Sequence, residues 1–109
     1  MSIDFSKTIT AGEKAARAAA ARKALLVSAI DAKVEEVARD RGYNSAATLA
    51  SYVASTNETW AAEAAAFVAW RDRVWQDAYA CLADVEGGSR AAPNVSEALA
   101  MMPQIAWPG

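Results

Sequence analysis

The chain has 109 residues, is 54% hydrophobic and carries a net charge of −2, enough for one modest domain. With one cysteine, Cys81, and no histidine, it lacks an internal disulfide framework, the ordinary His/Cys zinc sites and the commonest general base. No basic patch interleaves with aromatics and no apolar run approaches the ~20 residues of a membrane span, so neither nucleic acid nor membrane is an expected partner.

Ala supplies much of the hydrophobic count and buries little area, so the larger apolar side chains must carry the core. They are few for a chain of this length, which predicts marginal stability alone or stability gained by association. Met1–Phe5 lacks the basic-then-apolar order of a signal peptide, so synthesis in the cytoplasm is expected.

Residues 1–9 read as an extended N-terminal arm, because Ile3 and Phe5 alternate with Ser2, Asp4 and Ser6 at the period of a half-buried strand. Thr10-Ala11-Gly12-Glu13 has the form of a capping box and opens a helix from about 11 to 41, ending at Gly42. At 1.5 Å per residue that helix is about 46 Å long. Its first half, 11–24, holds only Ala, Gly and polar residues. Its second half carries the stripe Leu26, Ile30, Val34 and Val37. Only the second half has a reason to enter a core, and the first projects, frays or waits for a partner.

Asn44 and Ser45 offer caps for a short helix over 46–55 with Leu49, Tyr52 and Val53 on its apolar face. Asn57 can cap a third helix from about 58 to 86, and Gly87-Gly88 stops it. Glu58 and Glu63 suit its positive end. Trp60, Ala64, Phe67, Val74, Ala78, Cys81 and Val85 keep heptad-like spacing, and Val68, Trp70, Trp75, Tyr79 and Leu82 widen the apolar arc. A helix so broadly apolar should be the centre of the fold. Asn94-Val95-Ser96-Glu97 is a second capping-box pattern, before a short helix around 95–101 that Pro103 ends. The tail Gln104–Gly109 is extended and holds Trp107.

The expected architecture is therefore all-α, a small helical bundle of two long helices and one or two short ones, with extended N- and C-terminal segments. The arm spans 1–9, the helical domain 10–87, and 88–109 is a loop, short helix and extended C-terminal tail.

Arg71 falls inside the apolar arc, between Phe67, Val74, Ala64 and Ala78. A buried guanidinium needs a partner, and Glu35, Glu36 or Asp40 of the first helix could supply one. Alternatively it belongs to a binding site, or its stem crosses apolar surface while its head reaches water. Glu35, Glu36 and Asp40 could in principle act as acid and base or hold a hard cation, but helix-spaced pairs, Glu35 with Arg39 and Glu36 with Arg41, are the ordinary outcome. Cys81 reads as a small buried hydrophobe. Gly87-Gly88-Ser89 matches neither a phosphate loop nor a nucleophile elbow. No catalytic residue, cofactor site or metal site is expected, and the chain reads as a non-enzyme. Trp107 either folds back over the helices or anchors a partner, and tryptophan is enriched at interface hot spots.

Several segments in order carry a family resemblance: Ile3-Asp4-Phe5-Ser6-Lys7-Thr8-Ile9-Thr10 before an Ala-rich helix, Ala38-Arg39-Asp40-Arg41-Gly42-Tyr43 followed by Leu49-Ala50-Ser51-Tyr52, Ala69-Trp70-Arg71-Asp72-Arg73-Val74-Trp75, and the closing Met102-Pro103-Gln104-Ile105-Ala106-Trp107-Pro108. Over nearly its whole length the chain resembles small proteins encoded in the tail modules of tailed phages and prophages. The resemblance implies a tail or tail-fibre assembly role, as an adaptor or chaperone that binds a tail protein, and carries over no functional residue. Ile3, Phe5 and Trp107 are the first candidates for contact. The alternative is a structural subunit kept in the virion tail, a homo-oligomer through the first helix. The expected location is the host cytoplasm or the virion.

Overall fold

The first long helix, α1, runs Ala11–Asp40 in the computed structural model, which describes residues 10–109. The arm over 1–9, with Ile3 and Phe5, lies outside the described residues. Thr10 caps α1 through its side-chain oxygen, which accepts the Glu13 amide at 3.1 Å, satisfying one of the orphan donors of the first turn. At the other end Gly42 takes φ +100°. Its N–H bonds Arg39 and that of Tyr43 bonds Ala38, the paired closure for which a left-handed residue is needed.

A short helix, α2 (Ala46–Ala50), tightens into a 3-10 turn over Ser51–Ala54. The sequence places one helix over the same stretch. Ser45 caps α2 by accepting the Thr48 amide at 3.0 Å, and a Glu35 carboxylate oxygen reaches across from α1 to the Ala46 amide at 3.1 Å. The second long helix, α3 (Glu58–Glu86), is capped by Asn57 and closes at Gly88, φ +78°, with the same pair of carbonyl-capping bonds. A final short helix, α4 (Val95–Ala100), begins with both halves of the Asn94/Glu97 capping box. Among the described residues there is no strand, and the tail after α4 has no regular secondary structure, so the all-α reading with two long and two short helices holds.

α1 and α3 run antiparallel as a hairpin. Their ends meet where Arg41 pairs with Glu63, and at the far end Ala16 and Val85 face the same space. The core fills the closed half of this hairpin: Ile30, Val34 and Ala38 from α1, Leu49 from α2, and Ala64, Phe67, Trp70 and Val74 from α3. Phe67, Leu49 and Val74 are the largest fully buried side chains, each worth roughly 1.5–3 kcal/mol of apolar burial.

The chain returns over this core after α4. Trp70 Nε1–H donates to the Pro103 carbonyl oxygen at 2.6 Å, and Met102, Ile105 and Trp107 pack on the cluster. The open half is different. Every α1 residue from Ala11 to Ala24 is exposed, as expected for a half-helix of Ala, Gly and polar residues that can bury little, and Leu25 after them is exposed as well.

Candidate protein-binding groove

Two features distinguish the ends of the hairpin. At the closed end Glu63 is 9% exposed, a carboxylate near the base of α3 that requires compensation. Arg41, just past the end of α1, supplies an ion pair through Nε, and the Tyr43 hydroxyl donates at 3.3 Å. The Arg41 guanidinium also lies 4.8 Å from the Trp107 ring centroid, within cation–π range. Trp107 in turn stacks on Phe67 at 6.5 Å and 7°. Charge, aromatic face and core are thus joined in one column that ties α1, α3 and the tail together.

Burial raises the Tyr43 pKa above its ordinary 10.0, and the Glu63 carboxylate beside it adds to that shift. Below pH 10 the phenol is protonated in folded and unfolded chains alike. Above it the unfolded chain loses its proton first, so it binds fewer protons than the folded one and stability falls until the folded phenol ionises too. Denaturant unfolding at a series of pH values from about 9 to 11 should show this alkaline loss. Tyr43→Phe should flatten it, and an identical fall in both proteins would count against the assignment.

At the open end the walls of the hairpin part into an apolar groove of about 490 Å³. Leu26 and Val27 of α1, Leu82 and Val85 of α3, and Met101 and Met102 after α4 line it. Arg22 and Lys23 edge the α1 wall, Asp77 and Glu86 the α3 wall. Tyr79, at its rim, is 61% exposed. The α1 side is floored by Ala16, Ala19 and Ala20, which leave room for a helix to approach closely. Methionines add adaptable, polarisable surface. Such a trough, apolar within and charged at its margins, is suited to receive a helix by its apolar face.

The structure corrects several sequence expectations. Arg71 is not buried among apolar neighbours with an α1 carboxylate. It pairs with Asp72 of its own helix at 3.0 Å, with a third of its side chain exposed. Glu35 pairs with Arg39 as the helix spacing predicts and also caps α2, while Glu36 pairs with Lys33 and not with Arg41. Arg41, expected to meet Glu36, turns to Glu63. The buried face of α3 is Glu63, Ala64, Phe67, Trp70 and Val74, which keeps Ala64, Phe67 and Val74 of the heptad spacing and takes in Glu63 and Trp70, while Trp60 and Arg71 stay more exposed. A buried Trp70 hides far more apolar area than Arg71 could there, with its N–H satisfied and no charge desolvated. Trp60, placed in the core by the sequence reading, is 47% exposed and packs at a tilt on Tyr52, 5.5 Å between ring centroids. Trp107 folds back, one of the two fates open to it.

No helix among the described residues is long and apolar enough to cross a membrane. The chain matches no protein-family model, and comparisons with curated proteins and with solved structures found no match.

Proposed function

We propose that the chain is a phage or prophage tail or tail-fibre assembly protein, an adaptor or chaperone that takes an apolar helical segment of a tail protein into the open groove between α1 and α3. The observation that carries protein binding is the groove itself, apolar, open and flanked by charge. Exposed apolar surfaces rimmed by polar residues mark interaction sites. The tail setting rests on the resemblance of the terminal and helical patterns to phage tail-module proteins. In this reading the chain works in the host cytoplasm, shielding apolar tail surface until assembly covers it.

Co-expression with the neighbouring tail-fibre product, followed by size-exclusion chromatography, tests the proposal. A co-eluting complex that is lost on Leu82→Glu, with helix content unchanged, is the expected result. Absence of a complex with every tail protein of the module would refute it. The exposed first half of α1 favours a second reading, a structural subunit retained in the virion. Mass spectrometry of purified particles separates the two, since stoichiometric presence favours the subunit and absence favours the transient chaperone.

A further inference from the structure

We infer that in the isolated protein the groove is filled by a second copy of the same chain, related by a two-fold axis running along the long helices. This rests on the groove being a helix-binding surface, as the proposed function does, but not on any tail protein as its occupant.

Charge placement carries the argument. The first half of α1 bears Lys14, Arg17, Arg22 and Lys23 against Glu13 alone, while the last turns of α3 bear Asp77, Asp84 and Glu86 with no base. The acids at the end of α3 oppose the dipole of their own helix, which favours bases there. The two walls face each other across the groove, yet among the described residues Arg22, Lys23 and Glu86, which line it, form no ion pair, and Asp77 meets only Arg73 of its own helix, at 4.0 Å. The charges are complementary but make no ion pair across the trough.

A second hairpin laid face to face on the first can bridge that gap. A two-fold axis along the helices sets the partner's α1 over this copy's α3, antiparallel to it. Basic wall then meets acidic wall twice, and the positive start of each α1 meets the negative end of the other chain's α3. A two-fold axis across the helices would instead lay α1 on α1 and set like charges together. The contact is isologous, as closed dimers require, and Ala16, Ala19 and Ala20 permit the close helix approach of a four-helix bundle. It would also cover the α1 half-helix that the single chain leaves bare.

Light scattering of the purified wild-type chain is expected to give twice the single-chain mass at a concentration on the order of 100 μM. A monomer there overturns the inference. Arg22→Glu with Lys23→Glu, and separately Asp77→Lys with Glu86→Lys, should each weaken self-association about tenfold or more. Mixing the two variants should restore a dimer, because each then offers the other the opposite charge. Two variants that fold by circular dichroism but fail to recombine would overturn the stated geometry. Cys81 lines the groove and is the one cysteine, so its maleimide labelling should slow as wild-type concentration rises. A labelling rate that stays constant while the mass doubles would show that the copies meet elsewhere, and would likewise overturn the inference. A dimer that binds no tail protein would sink the proposed function alone, and a monomer that binds one would sink this inference alone.

Discussion

Phe67→Ala is expected to remove about 3–5 kcal/mol of stability and to leave little folded protein at physiological temperature. Phe67 is fully buried, sits in the core between α1, α2 and the returning tail, and touches two indoles, Trp70 at 5.9 Å and Trp107 at 6.5 Å between ring centroids. Removing the ring opens a cavity that its neighbours cannot easily fill, because Trp70 is fixed by its bond to the Pro103 carbonyl. A chain of this length commands roughly 5–15 kcal/mol in all, and its core is confined to half of the hairpin. Thermal unfolding followed by circular dichroism checks the prediction. A loss below about 1 kcal/mol would mean that this ring is not at the centre of the packing.

Trp107→Ala is expected to have the second largest effect, about 2–4 kcal/mol. Its transfer term is reduced because the side chain is half-buried, but the stacking on Phe67 and the cation–π contact to Arg41 are lost with it. The loss should also free the tail, so proteolytic cleavage after α4 should accelerate while α1 and α3 remain helical. Trp107→Phe should recover part of the stability. If Trp107→Ala left stability untouched, the tail would have to be a partner anchor and not a cover for the core.

The helix limits were legible because they are written in local chemistry. Thr10, Asn57 and Asn94 carry side-chain oxygens where a first turn needs acceptors, and Gly42 and Gly88 stand where only a left-handed residue closes the last turn. The bare start of α1 was equally plain, since Ala and charge cannot make a core. What periodicity could not settle was the rotation of α3. Both readings share Ala64, Phe67 and Val74; they differ in whether Arg71 or Glu63 lies within the face, and both put a charge inside. Choosing between them needs the partner of that charge. Glu63 finds Arg41 and Tyr43, which lie 22 and 20 residues away in sequence. Glu63 stands four before Phe67 and seven before Trp70, the same spacing that sets Arg71 among apolar neighbours, so its burial has a local signal that dipole compensation also accounts for. The return of the tail over Phe67 and Trp70 is a long-range contact with no local mark. The groove likewise follows from two helices whose facing halves are mismatched in size, Ala against Trp, Tyr and Leu, a relation visible only once the hairpin pairs them.

Backbone amide exchange on dilute protein tests most directly the division of this hairpin into a packed closed end and an open grooved end. Slow exchange is expected over Ile30–Ala38 and Glu63–Val74, with Ala11–Leu25 exchanging orders of magnitude faster. Uniform protection along all of α1 in the dilute monomer, or rapid exchange at Phe67 and Trp70, would contradict it.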